Sequence, residues 1–301
     1  MPTKTIRPWR RNRASLALIL PVLALAACAA GPAGAAEESS RREETFTFTA
    51  PAGERVLRIC TIEGDVAARG HDGAEVRVVV RETYRGETPA LVARAKEELG
   101  LLVERTAGEA EIAVGAPCDC RRDCYGKWNG GWDDERGRFA ARHDFEVLVP
   151  RGVRVELRSV NDGEVTLRDH RGGFRLSNVN GPVSALDVAG AGSVSTVNGD
   201  LEVRFTENPR EDMSFRNVNG RIDVTFRPGL AADLTFETLN GEVYTDLALD
   251  QSPVAQASRD PGKGKYLLRR KWSTRSAAGA PAPLLSFSTI NGDIYLRGPS
   301  K

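Results

Sequence analysis

Few residues in this chain can do acid–base or nucleophilic chemistry in a recognisable setting. Only three of the 301 residues are histidine. His71, His143 and His170 each lie beside an aspartate (Asp72, Asp144, Asp169), at expected strand ends or return loops. The Gly-x-Ser-x-Gly, His-Glu-x-x-His and P-loop patterns are absent, and Gly262-Lys263-Gly264-Lys265 does not fit the last of these. Charge of one sign is lacking too. Lys and Arg total 42 against 41 Asp and Glu, a net +1, so nothing in bulk electrostatics points to nucleic acid or to a membrane surface. No apolar run reaches the roughly 20 residues of a membrane-spanning helix; Ala14–Ala27 stops at fourteen. Aromatics are sparse at 6% while glycine numbers 30, which suits a turn-rich all-β chain.

That short apolar stretch follows Lys4, Arg7, Arg10, Arg11 and Arg13, and the combination predicts a signal peptide over residues 1–27. The Arg10-Arg11 pair alone does not mark twin-arginine export. Leu25-Ala26-Ala27-Cys28 resembles a bacterial lipobox, which implies cleavage before Cys28 and a lipid on its sulfur. By the same resemblance, Ala29 in place of Asp points to the outer membrane. The competing reading is ordinary secretion with an incidental cysteine. Residues 28–44, rich in Ala, Gly, Pro and charge, have no apolar period and are expected to form a flexible tether, with order starting at Thr45-Phe46-Thr47-Phe48.

One phrase recurs through the second half of the chain: Val-Asn-Asp-Gly at 160–163, Val-Asn-Gly at 179–181, 197–199 and 218–220, Leu-Asn-Gly at 239–241, and Ile-Asn-Gly at 290–292. Its asparagines (161, 180, 198, 219, 240, 291) are 19, 18, 21, 21 and 51 residues apart, the signature of stacked repeats. Apolar residues alternate before each Asn (Val155/Leu157, Phe174/Leu176, Met213/Phe215, Leu234/Phe236, Leu285/Phe287) and again after each Gly. A small polar residue fills the next inward slot: Ser159, Asn178, Thr196, Asn217, Thr238, Thr289. Period two means half-buried strands, so each repeat reads as strand, Asn-Gly corner, strand and return loop. Asn-Gly is also the strongest hairpin signal, which would make an antiparallel meander. Like residues at like positions over six repeats favour parallel stacking in chain order, Asn over Asn, with Arg216 and Glu237 on adjacent rungs.

This run of units resembles the bacterial putative-adhesin family, cell-envelope β-solenoid domains of unknown function, over roughly residues 45–298. The resemblance implies an all-β, right-handed parallel β-helix-like solenoid of about 20-residue two-strand rungs in an extracytoplasmic setting. It transfers no catalytic residue.

Upstream, Leu57–Val66 repeats the formula with Glu63 in place of Asn, a first rung followed by a strand carrying Val76, Val78 and Val80. Pro89–Leu102 is the one helical candidate, with Leu91, Ala95, Leu99 and Leu102 on one face, and it would cap the open end of the stack within an N-terminal unit over residues 45–116. Two stretches break the period: a Cys/Trp-rich loop at 117–142, and an insertion at 250–283 inside the repeat region 143–301. With Cys28 set aside, Cys60, Cys118, Cys120 and Cys124 form an even set that argues for two disulfides, Cys118–Cys120 being the poorest of the possible pairs. Cys60 falls at an outward slot, within reach of a covering loop. A four-thiolate zinc site is the alternative, but Cys-x-Cys-x3-Cys departs from paired Cys-x2-Cys spacing. The slot after each Gly (Glu164, Pro182, Asp200, Arg221, Glu242, Asp293) suggests a calcium-binding acid column, but Pro and Arg interrupt it and a solvated strand edge explains it as well. No metal or cofactor is expected.

Contact residues are sought in the two insertions. Tyr125, Trp128 and Trp132 form a candidate binding loop unless they only cover the flank, and Arg269, Arg270, Lys271 and Trp272 form a basic one. The expected protein is a lipid-anchored envelope solenoid with a non-catalytic binding, adhesion-like or structural role. Its partners would be the membrane through the anchor, and an envelope protein or polysaccharide, with no nucleic acid. The alternative is a carbohydrate-active enzyme, a polysaccharide lyase or hydrolase on a parallel β-helix scaffold.

Overall fold

Alternating apolar residues dictate strands over most of the chain, and the computed structural model describes residues 35–114, 138–247, 250–259, 266–273 and 282–298. The expected signal peptide (residues 1–27), Cys28 and most of the stretch 117–142 lie outside them. In chain order the first elements are β1 (Ala36–Thr47), β2 (Val56–Cys60), β3 (Val66–His71), β4 (Glu75–Gly86), α1 (Pro89–Leu99), β5 (Leu101–Arg105), β6 (Glu109–Val114) and β7 (Phe139–Pro150). Next come β8 (Arg154–Arg158), β9 (Val165–Arg168), β10 (Phe174–Ser177), β11 (Val183–Val188), β12 (Gly192–Ser195), β13 (Leu201–Phe205), β14 (Met213–Arg216) and β15 (Ile222–Thr225). The last are β16 (Asp233–Asn240), β17 (Val243–Thr245), β18 (Asp250–Arg259), β19 (Tyr266–Ser273), β20 (Leu284–Asn291) and β21 (Ile294–Arg297).

These strands form two mixed sheets, and neither closes into a barrel. Sheet A runs β1-β4-β7-β3-β9-β11-β13-β15-β21-β17, and sheet B runs β18-β19-β16-β20-β14-β12-β10-β8-β2-β6-β5. Within the repeat every pairing is parallel, Phe174 lying beside Val155 and Val183 beside Val165, for example. The antiparallel meander is therefore excluded there. Antiparallel pairs occur only at the ends: β1-β4-β7 and β5-β6 at one, β16-β19-β18 at the other. Upstream, β2 pairs in parallel with β8 and β3 with β9, and Glu63 bridges Asn161.

The inward-facing residues of both sheets make one continuous core. Identical ring types stack through it: Phe287 lies between Phe215 (4.7 Å) and Phe236 (5.2 Å), and Phe205 stacks on Phe226 (5.4 Å). α1 starts on Pro89 after Thr88, whose hydroxyl accepts the Leu91 N–H (3.3 Å). Its buried face is Leu91, Val92 and Ala95, packed on Tyr84 and Ala141 where β4 and β7 run on.

Several expectations need correction. The strand starts at Ala36, so residues 36–44 are not tether. They lack an apolar period because their neighbours hold them by charge and hydroxyl instead: Glu37 to Arg85 (2.7 Å), Glu43 to Arg77 (2.6 Å), Ser39 to Thr83 (3.1 Å). The helix ends at Leu99, and Leu102 belongs to β5 and is 56% exposed. Residues 138–142 of the Cys/Trp-rich stretch are in or beside β7. The insertion at 250–283 supplies a hairpin, β18-β19, that extends sheet B beyond β16. The rungs do not stack in chain order. β20 and β21 lie between β14/β15 and β16/β17, so Arg216 and Glu237 both flank Ser288 rather than each other.

Candidate interaction surface

The Asn-Gly corner is built from columns that run from rung to rung. Each Asn donates its amide N–H to the side-chain oxygen of the neighbouring Asn, a ladder Asn240→Asn291→Asn219→Asn198→Asn180→Asn161 with every step 2.7–2.8 Å. The Gly beside it is required by close approach. A Cβ at Gly163, Gly181, Gly199, Gly220, Gly292 or Gly241 would stand 1.9–2.3 Å from the carbonyl oxygen of the glycine before it in the column. The inward small polar residues satisfy those carbonyls: Ser159 donates to Gly64 (2.8 Å), Asn178 to Gly163 (2.7 Å), Thr196 to Gly181 (2.8 Å) and Asn217 to Gly199 (2.9 Å). Thr289 and Thr238 fill the same buried slot, and their hydroxyls make no hydrogen bond.

The slot after Gly has a structural explanation. The carboxylate in one rung accepts the backbone N–H at that slot in the next: Asp65 from Glu164, Asp200 from Arg221, Asp293 from Glu242, each 2.9 Å. Asp144 does the same for Asp65 (3.0 Å). No group of acids able to hold a metal occurs among the described residues. Outside the ladder lies an apolar ridge, one residue per rung, of which Val197 and Ile290 are exposed and Val160, Val179, Val218 and Leu239 half-buried.

At the N-terminal end of the corner, Arg142 gathers Asp144 (2.8 Å), Asp65 (3.2 Å) and the Asp162 carbonyl (2.6 Å). Burial and the nearby Asp162 charge push the Glu63 carboxyl above the usual carboxylate range, against Arg142 and Arg85. Beneath α1, Tyr84 donates to Glu82 (2.6 Å) and lies 3.4 Å from His143 Nε2. Burial pushes the His143 imidazole down, against Glu82 and Asp144. His170 is fully buried, neither ring nitrogen makes a hydrogen bond of normal geometry, and burial pushes it down to about 4. His71 stays at the surface, with Nε2 on the Glu75 carbonyl (2.7 Å). A cleft of 490 Å³ lies on the return side, lined by Asp187, Arg204, Phe205, Thr206, Thr225, Phe226 and Arg227.

Of the sequence-predicted site residues, Cys60 is on the outward face of β2 and yet fully buried, packed with Ala113 and partly with Ile62. Cys118, Cys120, Cys124, Tyr125, Trp128 and Trp132 lie outside the described residues. Arg269, Arg270, Lys271 and Trp272 are in β19, where their backbones pair with Glu237, Phe236, Thr235 and Leu234. They form part of an ordered strand rather than a loop. Sequence reasoning missed Tyr244 and Tyr295, which stack on the outer face of sheet A with ring centroids 4.9 Å apart. Both follow a Gly-acid pair by two residues, and stacking the 240 and 291 rungs in chain order also sets them side by side, so the alternation after each Gly was the signal that could have found them.

No family model matches the chain, and no curated protein does. Among solved structures it is similar to a putative cell adhesion protein from Clostridium sporogenes (TM-score 0.40, 9% identity, 86% of this chain and 100% of that one). It is also similar to a putative adhesin from Bacteroides fragilis (TM-score 0.36, 9% identity, 87% and 97%). A third is a putative lipid binding protein from Parabacteroides distasonis (TM-score 0.31, 10% identity, 87% and 97%). The putative-adhesin resemblance thus stays a likeness of repeated motif.

Proposed function

We propose that the chain is a lipid-anchored protein of the bacterial cell envelope, a right-handed parallel β-helix-like solenoid with a non-catalytic binding, adhesion-like or structural role. The observation that carries this reading is the corner, whose Asn, small polar and Asp side chains are engaged by the neighbouring rung. Chemistry repeated at every rung serves the stack, and stacked repeats present long regular faces suited to extended partners. The anchor reading rests on the lipobox at Cys28. With β1 starting at Ala36, only residues 29–35 separate the lipid from the fold, a reach of about 25 Å when extended. Metabolic labelling with palmitate followed by membrane fractionation tests it: wild type should be labelled and sediment with membrane, and Cys28→Ser should do neither. Equal labelling of the two proteins, or none of either, refutes the anchor. Exported protein should also lack free thiols at Cys60, Cys118, Cys120 and Cys124 without reductant.

A carbohydrate-active enzyme is the second reading, and the carboxylates around Arg142 favour it, since Glu63 holds its proton more tightly than a free carboxyl. Turnover of envelope polysaccharide that Glu63→Gln abolishes would establish it.

A further inference from the structure

Tyr244 and Tyr295 are the only aromatic side chains on the outward face of either sheet among residues whose side chains are described. They are direct register partners on β17 and β21, with rings 4.9 Å apart and 12° from parallel. β17 is the outermost strand of sheet A. One face of Tyr244 therefore rests on Tyr295, while among the described residues no strand of sheet A lies beyond the other, and the residue is 44% exposed. Sheet edges are ordinarily protected by charge or proline, so a bare ring there is a surface in want of a contact.

Both rings are held upright. Tyr244 donates its hydroxyl to Glu242 (2.7 Å) and Tyr295 to Asp293 (3.3 Å), while Arg297 lies 5.3 Å over the Tyr295 ring and is gripped by Asp223 (2.8 and 3.0 Å). Among the described residues the carboxylates of Glu242, Asp293, Asp223 and Asp246 outnumber the cations near the pair, Arg297 held on Asp223 and Arg221 on Asp200 (3.6 Å). That field repels acidic polymers and attracts cations. Arg297 over Tyr295 is an internal instance of a cation on one of these rings, and among the described residues no cation covers Tyr244.

From this we infer that Tyr244, Glu242 and Asp246 form a binding site for a glycan bearing free amino groups. The flat C–H face of a sugar would lie on the open ring and its ammonium and hydroxyls would donate to the carboxylates, whose oxygens keep unused lone pairs. The site gives a ligand class to the binding role proposed above, and does not depend on the lipid anchor.

Calorimetric titration of the purified protein tests the inference, with glucosamine hexamer, its fully N-acetylated counterpart and lysine hexamer as probes. Glucosamine hexamer should bind with an affinity that falls as salt rises, and the N-acetylated hexamer about tenfold or more weaker. Tyr244→Ala should weaken glucosamine hexamer about tenfold, while Tyr244→Phe keeps the ring and stays within about threefold. Thermal unfolding of both variants checks that the exposed substitution leaves the fold intact. Three results overturn the inference: no binding of glucosamine hexamer at millimolar concentration, unchanged binding by Tyr244→Ala, or lysine hexamer binding as tightly with the same dependence on Tyr244, which would make this a general cation site. Failure of palmitate labelling leaves all of these readouts untouched.

Discussion

A methyl group added at Gly220 would stand 2.2 Å from the Gly199 carbonyl oxygen, on a backbone with φ of 133°. Gly220→Ala should therefore lower stability by about 1–3 kcal/mol, and Gly220→Val by more. At Gly152 nothing lies within 4 Å of the added atom, so Gly152→Ala should stay within about 0.5 kcal/mol. Urea unfolding reads both, and equal losses would show that the glycine column does not carry the effect. His170 offers a pH test. Its unfolded value is near 6.5 and burial lowers the folded one to about 4, so the unfolded chain takes up the proton first. Its contribution is complete above pH 6.5, shrinks as pH falls toward 4, and is gone below, a span on the order of 3 kcal/mol. His170→Leu should flatten urea midpoints measured between pH 7 and pH 4.5. An unchanged slope would mean that this imidazole titrates normally. The repeated phrase made the Asn and Gly columns legible in the sequence. It also marked the small polar slot without saying what it does, because the Gly carbonyl it satisfies belongs to another rung.

At the scale of the element, register is the most exposed claim. Arg216 and Ser288 are direct partners, as are Glu237 and Ser288, whereas Arg216 and Glu237 are two strands apart, about 9.6 Å. Paired cysteines at 216 and 288 should form a disulfide on mild oxidation, and cysteines at 216 and 237 should not, since Cα atoms more than about 7 Å apart cannot be bridged. Mass spectrometry of oxidised protein decides, and the reverse result would restore chain-order stacking. Phe287→Ala should cost about 3–5 kcal/mol by emptying the centre of the Phe215–Phe287–Phe236 stack. Strand type and inward face were readable from alternation alone. The order of the last rungs was not, because β16 and β20 carry the same pattern (Leu234/Phe236, Leu285/Phe287) and each fits either place. β1 escaped notice for a related reason: Glu37–Glu44 are polar on both faces, and only the opposing charges on β4 show that they pair.

At the scale of the whole molecule, antiparallel pairs flank the parallel strands at both ends of sheet B and at one end of sheet A, where α1 also packs, while the parallel strand β17 ends sheet A at the other. The interleaved rung has a consequence in time. During synthesis the rungs up to Thr225 can be added one after another as they emerge. Asp233–Thr245 then emerges before its native neighbour, a rung whose Asn follows 51 residues later. At 5–20 residues per second that interval lasts about 3–10 s, during which β14 and β15 lack their native partners and form an edge open to other chains or to β16. Both C-terminal rungs must then arrive together. Pulsed hydrogen exchange during refolding should show amides of β16 and β20 becoming protected in one phase, after those of β8, β10 and β12. A partner that occupies the waiting edge would act on the newborn chain alone.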